Sequence, residues 1–401
     1  MSSLTCVTRS RGMRSVVFGS LLPWMIGCGE SSEESRLENE SGRFSSIIHE
    51  DRTAYEGAKR LRLVPQQQVC DGSADTSCTF IDIRVALVKS DGEVLLGDGL
   101  SDLRQFGRDG FVRRVGGEGR GPGEFRTSMA AGVNHNDDLT VFDIRSFRVS
   151  YFDSSGTFIS GRDLEFSTTF SGIDILNGEP VILEIPGSDS IGSMVTARFV
   201  RYSGTDDRPG ELARVSARSR TRPGSDLAPM PTPFEAKPAW DVGATGLIAF
   251  TTGDAYRIEI HDGTARPGIL LVSDISPDAL STAAQDSARR ALLLPGGRRS
   301  SSTAYSQEAE RRLNALPKHY PAISTIRILR DSTLWVRRYP AVDQVDVRWD
   351  AFDSGGRRLG FVELPVESNI ADGSMQRMLL VEHDSLGIAS ATWYAVEGHR
   401  R

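Results

Sequence analysis

The stretch VALVKSDGEVLLGD, residues 85–98, sets the reading of the whole chain. Two apolar runs flank Asp91-Gly92, a dipeptide that supplies the positive-φ positions of a tight hairpin. RQFGRDGFVRRV (104–115) follows and repeats the arrangement around Asp109-Gly110. Two successive hairpins make a four-stranded sheet. The same phrase returns as AAGVNHNDDLTVFD (130–143), IDILNGEPVILEI (173–185), WDVGATGLIAFTTGD (240–254), IRILRDSTLWVRRY (326–339) and MLLVEHDSLGIASA (378–391). Second hairpins follow the middle four of these, at 149–161, 198–212, 256–269 and 347–364. A four-stranded unit recurring every ~40–45 residues is the blade pattern of a β-propeller. Six phrases predict six blades.

The last phrase has only TWYAV (392–396) after it, so its blade lacks an outer strand, while LRLVPQQ (61–67) precedes the first phrase without a partner. A propeller hides its edges by letting one chain end complete the blade begun by the other. That predicts closure by Leu61 to Val64. An excursion at about 277–318 interrupts the strands. Ser276 as N-cap, Pro277 at the first helical position and Asp278 in the first turn predict a helix through DALSTAAQDSARRALLL, stopped by Pro295-Gly296-Gly297. A second helix is expected from Gln307 to Leu316, and 205–239 reads as a Pro/Arg/Gly-rich loop. The expected fold is therefore all-β, a six-bladed propeller over 51–401 with a small helical insertion.

The start of the chain has a different character. Residues 1–27 contain Arg9, Arg11 and Arg14 but no acid, and end in the apolar run VVFGSLLPWMIG (16–27). This is an export-signal pattern, shorter than the roughly 20 residues of a membrane-spanning helix. Met25-Ile26-Gly27-Cys28 resembles the lipobox of bacterial lipoproteins, with Met25 where leucine is usual. The resemblance implies cleavage before Cys28, a lipid on Cys28 and attachment to a membrane of the cell envelope. Gly29 in place of aspartate implies the outer membrane. Met13 is a second candidate start, which would remove Cys6. Residues 29–42 (GESSEESRLENESG) lack apolar periodicity and cannot bury enough surface to fold. Residues 28–50 are expected to form a flexible acidic tether.

Lys and Arg number 47 against 53 Asp and Glu, a net charge of −6; loss of the three signal arginines makes it 47 − 3 − 53 = −9. An acidic chain is a poor nucleic-acid binder. With Cys6 and Cys28 set aside, two of the four cysteines remain, Cys70 and Cys78. An oxidising compartment favours a disulfide between them, worth about 2–3 kcal/mol by loop closure. A metal site is the rival, and it lacks a nearby histidine or third cysteine.

GGEGRGPGEF (116–125) resembles the G-x-G-x-G-P-G-E-F linker of NHL-like six-bladed propellers. VFDIRSFRVSYFDSSGTFI (141–159) and YPAISTIRILRDSTLWVRRY (320–339) resemble blades of the same exported proteins, most of which have no assigned activity. The glycine run does not suit phosphate, because Glu124 stands where a P-loop has its lysine. No Gly-x-Ser-x-Gly elbow, His-Glu-x-x-His helix or calcium loop occurs. Of the six histidines, His135, His261 and His383 sit beside expected turns, where solvated placement is the simple account. Asp98 and Asp143 end the second strand of their phrases at matching places. They could line the central channel and hold a metal, though a strand-end aspartate more often binds backbone donors in the next turn.

No catalytic, cofactor-binding or metal-ligating residue is assigned, and no cofactor is expected. The expectation is a non-catalytic envelope protein whose propeller binds or scaffolds an unidentified protein or small-molecule partner. The alternative is a metal-dependent propeller hydrolase or lyase with its site in the channel.

Overall fold

The computed structural model describes residues 43–70, 76–99, 102–165, 170–203, 209–221, 232–293 and 303–398. The expected signal peptide, Cys28, residues 29–42 and the Pro295-Gly296-Gly297 stop lie outside them. Six antiparallel sheets follow one another along the chain, at 85–116, 128–163, 170–218, 239–273, 323–365 and 369–397, here blades 1 to 6. The first strand of each, from Val85–Val88 in blade 1 to Asn369–Gly373 in blade 6, touches the first strand of the next. The last touches the first. That closed ring of inner strands defines a six-bladed β-propeller.

The second strand of each blade explains the packing. Val94–Gly97 and Ile248–Thr251 are buried along their whole length, as is Leu139–Asp143. A short continuous apolar run is what a strand with no solvent face requires, and these strands lie between two neighbouring blades. Among the described residues each blade–blade interface accordingly has its own core cluster, and a smaller one of Leu280, Ala284 and Tyr320 lies at the insertion. Leu95, Phe125 and Phe152 join blades 1 and 2. Trp335, Trp349 and Met378 join blades 5 and 6, and Phe106, Leu379 and Trp393 seal blade 6 to blade 1.

Closure uses the segment expected for it. Arg62–Cys70 pairs antiparallel with Ala389–Glu397, from Arg62 opposite Glu397 to Cys70 opposite Ala391. Cys70 and Cys78 form a disulfide (S–S 2.04 Å), tying the end of the closing strand to the chain entering blade 1. The phase of the sixth phrase needs correction. MLLVEHDSLGIASA holds the second and third strands of blade 6, Arg377–His383 and Ala389–Glu397, not the first two. The inner strand is the short, half-polar Asn369–Gly373, which the phrase did not include.

The expected tether is also too long. Phe44–Glu50 is a strand, laid parallel against Gly268–Ser273 as a fifth strand of blade 4. Asp51 then caps the short helix Arg52–Glu56 by accepting from Ala54 N (2.7 Å). Leu61 N donates to Phe361 O (2.7 Å) and Phe361 N to Lys59 O (2.9 Å), which fastens the chain to blade 5. One segment thus crosses the outer edges of blades 4 and 5 and becomes the outer strand of blade 6. A buried charge cluster pins it. Arg358 bridges Glu50 and the fully buried Asp350. Asp350 also accepts from Arg348 Nε (2.7 Å) and the Tyr256 hydroxyl (2.8 Å). Arg348 stacks on the Tyr55 ring at 3.7 Å.

The insertion is helical but begins later than expected. The first helix is Thr282–Leu293, and its cap is Ser281, whose Oγ accepts from Ala284 N (3.2 Å). Ser276-Pro277-Asp278 leads instead into a bridge between Ala279 and His319. The second helix is Thr303–Asn314, starting ahead of Gln307.

Candidate functional site in the central channel

The inner strands enclose a channel of about 760 Å³. One residue before the last paired position of each inner strand stand Leu87, Gly132, Ile175, Asp241, Arg327 and Asp372, and all six line the channel. At this level blades 1–3 contribute apolar groups and blades 4–6 contribute charges. Gly132 is demanded by the crowding, because a Cβ there would lie 2.8 Å from Ile175 Cβ.

The charges are fixed by backbone donors of the following blade. Asp241 Oδ2 accepts from Ile328 N (2.6 Å), and its Oδ1 lies 3.7 Å from Arg327 Nη1. Asp372 Oδ2 accepts from Val88 N (2.9 Å) and from Arg330 Nε (3.2 Å). Asp174, next to Ile175, hydrogen-bonds the Asp241 carboxylate across the interface of blades 3 and 4. Burial, and then the Asp241 charge, push the Asp174 carboxyl up to about 8. Burial also raises Asp241, opposed by Arg327 and by the Ile328 N–H. Two carboxyls in contact cannot both ionise cheaply, so burial and mutual repulsion favour one proton shared by the pair. At the mouth, His135 is exposed, and His383 Nε2 lies 3.4 Å from Asp82 Oδ1.

Neither strand-end aspartate of the sequence reading lines this channel. Asp143 is buried and accepts from the backbone N–H of Arg126 (3.3 Å), Thr127 (3.2 Å) and Arg145 (2.9 Å) and from Ser146 Oγ (2.8 Å). Desolvation raises its pKa, and these four donors outweigh it, holding the carboxyl below its ordinary value. Asp98 follows Val94–Gly97 and is half-buried. The glycine run is a crossover between blades 1 and 2. Glu124 accepts from Gly121 N (2.8 Å), and Arg148 ties down Arg120 O (2.9 Å) and Gly121 O (2.8 Å). His261 is not solvated as expected: it is 5% exposed and its Nε2 lies 3.6 Å from Glu259 Oε2. Among the described residues no three His, Cys, Asp or Glu side chains converge at metal-binding distances.

Sequence reasoning missed Asp174, Asp241 and Asp372. The available signal was a carboxylate in the middle of an otherwise apolar inner strand, at Ile173-Asp174-Ile175 and Trp240-Asp241-Val242.

No protein-family model matches the chain, and no curated protein does. Among solved structures it is similar to a presumed exported protein from Bacteroides fragilis, at 15% identity and TM-score 0.48, covering 89% of this chain and 100% of that one. It is similar to a DUF4221 family member from Bacteroides vulgatus at 9% identity and TM-score 0.47, covering 85% and 99%. Streptogramin B lyase matches at 10% identity and TM-score 0.37, covering 78% of each chain. Likenesses this loose do not bear on function, and the six sheets themselves establish the fold.

Proposed function

We propose that this chain is an exported propeller, held to the cell envelope by a lipid on Cys28, whose channel binds a small polar ligand without transforming it. The observation that carries the reading is the Asp174–Asp241 pair, one carboxyl and one carboxylate side by side, facing a channel of ligand size beside Arg327 and Arg330. Sites that bind small molecules combine an apolar wall with a few fixed polar groups. Here Leu87, Gly132 and Ile175 of blades 1–3 supply apolar wall, Asp241, Arg327 and Asp372 of blades 4–6 supply charges, and blade 3 adds Asp174. A neutral carboxyl donates and its partner accepts, an arrangement suited to hydroxyl or amine groups. The outer membrane is the location implied by Gly29, and the Cys70–Cys78 disulfide fits an oxidising compartment.

A second reading is enzymatic, and the raised Asp174 favours it. A carboxyl protonated near neutral pH is a general acid. The metal-dependent version would need a third ligand beside Asp174 and Asp241.

The test is mass spectrometry of small molecules retained by the mature protein from cell extract. Wild type should enrich one compound class that Asp241→Asn and Arg327→Gln do not. Equal retention by all three removes the channel as the site. Conversion of the retained compound by wild type, lost in Asp174→Asn, selects the enzymatic reading.

A further inference from the structure

A second cavity, of about 340 Å³, lies between blades 4 and 5, at the end of the ring away from the inner hairpin turns. Arg338, the last residue of strand Leu334–Arg338, lines it with Arg348, Arg52, Tyr55 and Tyr339. Every other cation there has a carboxylate. Arg52 pairs with Glu56 (2.7 Å), Arg348 with Asp350 (2.7 Å), and the wall residue Glu363 is taken by Arg60 (2.7 Å). The Arg338 guanidinium makes no hydrogen bond or ion pair among the described residues, and its Nη1 is buried. Its guanidinium is held only by the rings of Tyr256 and Tyr55, at 5.6 and 5.9 Å. The one further acid on the wall, Asp278, is exposed.

A buried guanidinium donor without an acceptor is rare and calls for a missing partner. Its planar fork matches an oxyanion, and Tyr55 and Tyr339 in the cavity wall offer aromatic surface to a flat apolar body. We propose that this cavity is an anion site that takes a small aromatic carboxylate, with Arg338 as its charge partner. The proposal stands independently of the channel.

The probe is 4-fluorobenzoate, followed by fluorine NMR line broadening on the full mature chain. Wild type should bind it saturably, Asp241→Asn should bind equally well, and Arg338→Gln should bind at least tenfold more weakly, with Arg338→Lys between. No binding to wild type, or equal binding to Arg338→Gln, overturns the proposal. If Arg338→Gln does not fold, a wild-type crystal soaked in 4-bromobenzoate decides. Bromine signal beside Arg338 supports the site, and signal elsewhere or none contradicts it.

Discussion

Blades 1–3 and blades 4–6 are built from the same hairpin phrase and end up as different halves. The outer strands of blades 1–3, Gly110–Gly116, Phe158–Asp163 and Gly210–Arg218, have no further strand on their outer side among the described residues. In blades 4–6 the segment 44–70 lies over the outer strand of blade 4, fastens to that of blade 5 and completes blade 6. The channel divides in the same way. Leu87, Gly132 and Ile175 face Asp241, Arg327 and Asp372 across it, and the Arg338 cavity lies between blades 4 and 5. Asp241, Arg327, Asp372 and Arg338 thus sit in the reinforced half, where fixed geometry is best held, and Asp174 meets Asp241 from blade 3.

Breaking the strapped half should have the largest effect. Arg358→Ala leaves Glu50 buried without its partner and Asp350 with Arg348 and the Tyr256 hydroxyl, and loss of one member of a buried ion cluster costs about 3–5 kcal/mol. Denaturant midpoints should show this. A change under 1 kcal/mol would mean that the strap adds little.

The seam between the halves comes next. Cys70→Ser or Cys78→Ser should cost about 2–3 kcal/mol, and reductant should lower the midpoint of wild type but not of the variant. In the unstrapped half, Asp143→Ala deprives three backbone donors of their acceptor. It should cost about 2 kcal/mol. Because the folded Asp143 pKa is depressed, its stabilisation is present above the unfolded carboxylate value and is lost as pH falls through the folded one. Wild type should therefore lose more stability than Asp143→Asn on acidification.

The last prediction tests the channel pair, and its sign is opposite. Asp174 is raised to about 8, so the folded state binds the proton more tightly than the unfolded chain. Its contribution is full below the ordinary carboxylate range and is lost as pH rises towards 8. Asp174→Asn should flatten that decline, gaining on wild type between pH 5 and pH 8. A parallel pH profile for the two proteins would mean that the pair is not sharing a proton.

The blade repeat was legible because hairpin turns and continuous apolar second strands are local signals. Asp91-Gly92 and VLLG at 94–97 announce themselves. The sixth blade slipped phase because its inner strand, NIADG at 369–373, is short and half-polar. The strand at 44–50 was hidden because its partner, Gly268–Ser273, lies more than 200 residues away in sequence and the neighbouring chain is acidic. The insertion helix was displaced because Ser276-Pro277-Asp278 carries a fuller start signature than the true cap, Ser281, which has neither the proline nor a first-turn acid after it. The site was least legible of all. Asp174 and Asp241 belong to different blades, and only ring closure makes them partners.

Native-state hydrogen exchange resolved by strand tests the division into halves most directly. The amides of Gly268–Ser273, Arg358–Pro365 and Ala389–Glu397, which lie beneath segment 44–70, should exchange slowly. Those of Gly110–Gly116 and Phe158–Asp163 should exchange much faster. Equal protection of the two sets would contradict a propeller strapped on one side.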